Sequence, residues 1–266
     1  MHNIHFHKRR NRIIYVVIFV CAVVTLVVIS MTDLLRLPEQ EEPTVKPSLS
    51  IYRFSSEEVP LYGLLEIDLN VTANFKNPFS PDQVDITAAV EMPTGKTVQI
   101  PAFYHQDLDR KLVGNRESLI ETSEPYWKVR FTPTEIGEHV IHITLTDKVE
   151  TVTSEKITFN AYTSDEPGFV RLSETDRHYF RFDNNQSILF IGHDVCWFGS
   201  RGTYDYDEWF SSMNLNGEKM TRIWMAPWAF GIEWKQLGYY DLTEAWRLDY
   251  VIRKAEEKGI YIILCP

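Results

Sequence analysis

The stretch TRIWMAPWAFGIEW, residues 221–234, carries Arg222, Trp224, Trp228 and Trp234. Three indoles and a guanidinium in fourteen residues are more aromatic surface than an ordinary core needs. In a strand, side chains two residues apart share a face, so Arg222 and Trp224 point the same way. Indoles bury large, rigid, amphipathic area, and a guanidinium offers paired donors to a carboxylate. The stretch therefore reads as a ligand-contacting surface, against the alternative that some rings only close a core. A second group, His193, Asp194 and Trp197, ends the apolar run SILFIGHDVCW and precedes GSRGTYDYD, whose glycines permit a turn close to a ligand. His193 and Asp194 can bind hydroxyl groups or orient Arg222. Asp205 and Asp207 read as helix-capping residues, and Glu233 as a solvated loop carboxylate.

Other chemistries find little support. His105, Asp107 and Asp109 read as a solvated loop face, and no metal site is expected there. No Gly-rich phosphate loop, nucleophile elbow or Cys/His zinc spacing is visible, so no cofactor is expected. The triplets NVT at Asn70 and NQS at Asn185 fit the glycosylation pattern, a weak signal. The cysteines, Cys21, Cys196 and Cys265, all sit in apolar contexts and suggest no disulfide framework. The formal charge of −10 excludes a nucleic-acid partner, because the four cations at Lys8, Arg9, Arg10 and Arg12 leave the rest of the chain more acidic still.

These residues need elements to position them. The run IIYVVIFVCAVVTLVVISM, residues 13–31, has nineteen residues without a charge, long enough to span a bilayer core. The basic tail 1–12 and the acids after the span predict a single-pass type II protein in the cell membrane, with everything after residue 31 outside. A cleaved signal peptide is the alternative. Residues 32–49 read as a proline-rich, acidic linker. From 50 to 164, short runs such as LLEIDLNVT, DITAAVEMP and HVIHITLTD alternate apolar and polar residues between turn signals, the pattern of an all-β antiparallel sandwich. HQDLDRKLVGNRESLIETSE, between two of these runs, reads as a surface loop. From 165 to 266 the period changes: strands at 187–197, in MTRIWMAPW and in IYIILCP alternate with helices over DYDEWFSSMNLNG and DLTEAWRLDYVIRKAEEKG. In the second helix, Trp246, Val251, Ile252 and Ala255 form the apolar face, with Asp241 and Glu244 as a capping box and Gly259 as the stop. Continuous apolar strands separated by helices predict a parallel α/β fold.

The segments NFKNPFSPDQVDITAAVEMPTGK and EPYWKVRFTPTEIGEHV resemble the immunoglobulin-like domain of unknown function that precedes many bacterial glycoside hydrolase barrels. Residues 168–210 and 221–266 resemble the opening of such a barrel, of clan A and similar to glycoside hydrolase family five. Together with the apolar run over 13–31, the resemblance over about 50–266 gives a multidomain fold: an N-terminal transmembrane helix, then, as the resemblance implies, an all-β immunoglobulin-like sandwich and the first β/α units of an incomplete TIM (β/α)8 barrel. It implies that Arg222 would hydrogen-bond the nucleophilic glutamate of a retaining enzyme, and that Trp224, Trp228, Trp197, His193, Asp194 and Trp234 would contact a polysaccharide or oligosaccharide, with indole faces stacked on sugar rings. The catalytic carboxylates of the clan lie on the fourth and seventh strands, so no catalytic residue is assigned in this chain. The expectation is an N-terminal fragment of a membrane-anchored, extracellular, retaining β-glycan hydrolase. The rival readings are a non-catalytic carbohydrate-binding ectodomain, with the sandwich as its working part, and a simple spacer.

Overall fold

The computed structural model describes residues 44–266. Its strands are β1 (Ser48–Phe54), β2 (Glu58–Pro60), β3 (Leu65–Thr72), β4 (Val84–Glu91), β5 (Thr97–Pro101), β6 (Phe103–His105), β7 (Leu108–Val113), β8 (Arg116–Glu121) and β9 (Tyr126–Phe131). They continue as β10 (Gly137–Asp147), β11 (Thr151–Thr153), β12 (Ile157–Tyr162), β13 (Val170–Leu172), β14 (Phe180–Phe182), β15 (Ser187–Ile188), β16 (Met220–Trp224) and β17 (Tyr261–Cys265). Two helices, α1 (Tyr204–Leu215) and α2 (Leu242–Glu257), flank β16 in sequence.

A four-stranded sheet in the order β1-β3-β9-β6 faces a second sheet in the order β2-β12-β10-β4-β5, with β11 paired to β10. Every pairing in them is antiparallel except β2 with β12. Alternation dictates the packing. Leu65, Ile67 and Leu69 of β3, Trp127, Val129 and Phe131 of β9, Val84, Ile86, Ala88 and Val90 of β4, and Ile141, Ile143 and Leu145 of β10 are all buried in one core. Each fully buried aliphatic side chain contributes about 1.5–3 kcal/mol of transfer free energy. The outer face of the four-stranded sheet is not simply wet, however. Asp68 and Lys128, cross-strand partners in β3 and β9, are themselves buried.

A second core gathers Tyr206, Phe210 and Met213 of α1, Ile223 of β16, Leu248, Val251 and Ala255 of α2, and Phe230 and Ile260 from the connections. In α2 the buried face is Trp246, Leu248, Val251 and Ala255, whereas Ile252 is 41% exposed. Asp241 caps the helix, accepting from the N–H groups of Thr243 and Glu244 at 3.0 and 3.3 Å. The capping box is only half made, because Glu244 turns away to accept from the Phe230 N–H and from Arg247.

The expected fold class is corrected by these observations. The described residues are mostly β-sheet with two helices of 12 and 16 residues, and they contain no TIM-barrel wall. The expected strand over 187–197 stops at Ile188, where β15 closes an antiparallel three-stranded sheet with β14 and β13. The apolar residues beyond it are satisfied by rings rather than by a parallel ladder: Phe190 packs edge-on against Phe180 and Tyr261. Between residues 165 and 266, the parallel pairing is that of β16 with β17, joined by α2 in a single β-α-β crossover.

The expected type II membrane localisation is corrected as well: neither helix among the described residues is long and apolar enough to cross a membrane. The expected span at 13–31, the tail 1–12 and most of the linker 32–49 lie outside the described residues, and β1 already begins at Ser48. The expected surface loop at 105–124 contains the β7–β8 hairpin, turning at Gly114 and Asn115.

Candidate functional site

Three indoles meet at the C-terminal end of β16. The Trp197 ring lies 5.6 Å from that of Trp224, tilted at 51°, and 5.5 Å from that of Trp228 at 86°. All three stay open to solvent, Trp197 and Trp224 at 40% and Trp228 at 62% exposure. Rings that only closed a core would be sealed.

Local backbone chemistry places them. The segment leading to Trp197 lies beside β16, where the Val195 N–H donates to Thr221 Oγ1 at 3.1 Å and the Trp224 N–H to the Cys196 carbonyl at 3.1 Å. Gly192 makes this approach possible, since a Cβ there would stand 1.8 Å from the Met220 carbonyl oxygen. Trp228 sits in a tight turn whose ends, Ala226 and Ala229, exchange backbone hydrogen bonds at 2.9 and 3.1 Å. The next residue, Phe230, is fully buried and holds φ at +59°, a conformation costly for a side chain of its size. It is held there by its N–H to Glu244 Oε2 at 2.9 Å and by edge packing on Phe198. Phe230 thus anchors the turn that presents Trp228. Nothing local in the sequence marks it.

Arg222 and Asp194 stand beside the indoles as a loose pair, Nη1 to Oδ2 at 3.9 Å, with side chains 43% and 50% exposed. Such a pair contributes little to stability, so both groups remain available for hydrogen bonding. Cys196 lies next to them; burial first, then the nearby Asp194, push its thiol above the usual range.

Two expected site residues stand apart. His193 is drawn to Glu218, just before β16, which accepts from its N–H at 2.9 Å and contacts its Nδ1 at 2.7 Å. Trp234 is 63% exposed and makes no ring contact with the other indoles. Its neighbour Glu233 accepts from the Gly238 N–H at 2.6 Å. The structure therefore brings together Trp197, Trp224, Trp228, Arg222 and Asp194, but not His193 or Trp234.

The two aspartates expected to cap α1 do other work. Asp205 accepts from the Gly199 N–H at 2.8 Å. Asp207 binds Arg110 at 2.5 Å and the Tyr250 hydroxyl at 2.9 Å. Arg110, on β7, is clamped between the rings of Tyr204 and Tyr250, each 3.9 Å from its guanidinium carbon. Glu117, on β8, is almost wholly buried and accepts from the Thr203 N–H at 2.9 Å and from Arg247 Nε at 2.7 Å. Gly202 lies against that carboxylate, where a Cβ would come within 2.2 Å of Oε2. The hairpin read as a surface loop is thus a clasp on both helices. The Gly114–Asn115 dipeptide between two alternating runs was the signal for it.

Among the described residues no group of His, Cys, Asp or Glu side chains is arranged to hold a metal ion. A concavity of about 620 Å³ is lined by Tyr62, Phe169, Tyr261 and Leu264 among others and includes none of the seven tryptophans.

Residues 58–145 match the family model described as a domain of unknown function, DUF5060. That is about a third of the chain, and it runs from β2 into β10 across both sheets. No curated protein matches. Over 79% of this chain, the fold is similar to that of a Bacteroides vulgatus protein provisionally assigned as a glycoside hydrolase, with a TM-score of 0.57 and 15% identity. The match covers 41% of that protein, so the chain corresponds to less than half of its length. The Lin-41 filamin domain gives a TM-score of 0.26 at 12% identity, covering 46% of this chain and 98% of that domain. A family 39 glycoside hydrolase from Bacteroides cellulosilyticus gives 0.23 at 12% identity, covering 82% of this chain and 33% of that one. Only the first of these scores speaks for a shared fold. The chain folds like a protein provisionally assigned to the glycoside hydrolases.

Proposed function

We propose that this chain binds saccharide at the end of β16, through the faces of Trp197, Trp224 and Trp228 and the hydrogen-bonding groups of Arg222 and Asp194. The observation that carries the reading is the open cluster of three indoles beside an exposed, loosely paired guanidinium and carboxylate. Indole faces suit the C–H surfaces of sugar rings, while Arg and Asp serve their hydroxyls. The fold shared with a provisionally assigned glycoside hydrolase supports a carbohydrate role for the chain. The division into a sandwich over 50–164 and an indole-bearing part over 165–266 belongs to the same reading.

Retaining hydrolysis needs two carboxyl groups about 5–5.5 Å apart flanking the scissile bond. The resemblance puts the clan's two carboxylates on the fourth and seventh strands, and in the indole cluster Asp194 already faces Arg222. We therefore assign to this chain the binding of a β-linked glycan and not its cleavage. Hydrolysis with retention belongs to a longer enzyme of which such a chain would form the N-terminal portion.

Calorimetric titration of the protein with cello-, manno- and xylohexaose tests this. One of the three should bind, and Trp224→Ala and Trp228→Ala should each weaken it about tenfold, equivalent to ~1.4 kcal/mol. No reducing sugar should be released on incubation. Binding left intact in the Trp224→Ala/Trp228→Ala double variant would overturn the assignment.

A further inference from the structure

The outer face of the β1-β3-β9-β6 sheet contains a concavity of about 440 Å³, remote in sequence from the indoles. Its floor is Asp68, with a side chain only 3% exposed, paired with Lys128 at 4%. Burying two charges on the outer face of a sheet is costly, and a network offsets it. Arg53 holds Asp68 Oδ2 through Nε and Nη2, both at 2.6 Å, and Lys128 Nζ lies 3.5 Å from Oδ1, which has no hydrogen-bond partner among the described residues.

The rim is built to point groups outward. In β1 the register slips between Ile51 and Arg53, leaving Tyr52 as the extra residue of a β-bulge at the edge of the sheet. The bulge brings Arg53 opposite Asp68 and leaves Tyr52 78% exposed. Across the opening, Asp107 accepts from the Tyr126 hydroxyl at 3.0 Å and contacts His105 Nε2 at 3.2 Å, which fixes the carboxylate while leaving lone pairs on both oxygens. Burial, then this bond to Asp107, raises the Tyr126 hydroxyl far above its ordinary pKa, so it stays a proton donor. Arg53 Nη1, the Asn70 amide and the Ser123 hydroxyl proton line the same opening with no acceptor or donor among the described residues.

The charges around the opening are thus already paired: Arg53 with Asp68, Lys128 behind Asp68 with both Asp68 and Glu66, and Asp107 with Tyr126 and His105, all beside an exposed aromatic ring. A charged ligand gains nothing from such a balance. A neutral polyhydroxylated ring does, because Asp107 accepts from its hydroxyls, Arg53, Asn70 and Ser123 donate to them, and Tyr52 covers its C–H face. We infer that the outer face of this sheet is a second saccharide-binding site, built from Tyr52, Arg53, Asn70, Asp107 and Ser123. The ligand class rests on the carbohydrate reading above; the site itself does not depend on the indoles.

Electrophoresis of the full chain through gels containing soluble β-glucan, β-mannan or β-xylan separates the two sites. Tyr52→Ala removes an exposed ring and should leave folding intact, and Asn70→Ala serves as a second variant at an exposed position. Two-site engagement predicts that one polysaccharide retards the wild-type chain, that Tyr52→Ala and Trp228→Ala each weaken retardation about tenfold, and that the double variant migrates freely. Retardation lost in Tyr52→Ala but unchanged in Trp228→Ala would uphold the sheet site and sink the indole site. Full loss in Trp228→Ala, with Tyr52→Ala and Asn70→Ala like wild type, would overturn the sheet site alone. No retardation of the wild-type chain by any of the three would overturn both.

Discussion

Trp228 shows what a single residue can and cannot tell in advance. Its type and spacing flagged it as a ligand contact, and the turn between Ala226 and Ala229 leaves it 62% exposed. Replacing it with alanine should change stability by less than about 0.5 kcal/mol, because little of the ring is packed. Thermal melts of Trp228→Ala beside wild type check this. Phe230, two residues on, was invisible in sequence, since only the folded loop requires a buried aromatic at φ +59°. Two histidines add a pH prediction. Burial lowers the pKa of His139, which stacks on Phe159 at 4.6 Å, and burial followed by the Lys128 charge lowers that of His105. Both are bases favoured neutral in the folded chain, so the unfolded chain takes up protons first as pH falls through its histidine pKa of about 6.5. Their contribution to stability is complete above that pH and is lost progressively below it. Urea midpoints should therefore fall between pH 7 and 5, and His139→Phe, which keeps the stack, should flatten the decline. A midpoint that rises on acidification would refute it.

At the scale of elements, periodicity announced both helices, and Asp241 proved to be the cap of α2. Removing that cap with Asp241→Ala should cost about 1 kcal/mol in chemical denaturation. The acidic residue three positions on was misread because Glu244 has a stronger demand elsewhere, at the N–H of Phe230. The apolar run over 187–197 was misread for a related reason. Hydrophobicity alone does not distinguish a ladder strand from a segment held by aromatic packing, and here β14 and the rings of Phe180 and Tyr261 capture it. Gly192 tests that arrangement. Gly192→Ala would set a Cβ against the Met220 carbonyl, so the segment must part from β16 and the Trp197–Trp224 contact must loosen. The expected readouts are a lower melting temperature and altered tryptophan fluorescence.

In the described part of the molecule, the two cores are tied together by ions. Glu117 and Arg247, Arg110 and Asp207, and Arg130 and Asp249 each join a strand from the first half of the chain to a helix from the second. Aromatic contact adds to them, with Phe79 and Tyr240 at 4.9 Å between ring centres. Sequence could not reveal this joint, since each partner looks like an ordinary surface charge until the β7–β8 hairpin folds onto α1 and α2. Breaking a buried ion pair from one side leaves an uncompensated charge, at about 3–5 kcal/mol. Glu117→Ala should lose stability on that scale in urea unfolding, and a loss below about 1 kcal/mol would show that the hairpin is not a clasp.

The central claim, that an open indole cluster at the end of β16 grips sugar, is tested most directly by the indole N–H resonances of the seven tryptophans during titration with cello-, manno- and xylohexaose. The structure predicts saturable shifts for Trp197, Trp224 and Trp228 with at least one of these sugars, while the buried Trp127 and Trp246 stay still. Shifts confined to other tryptophans, or none at all with any of the three, would contradict it.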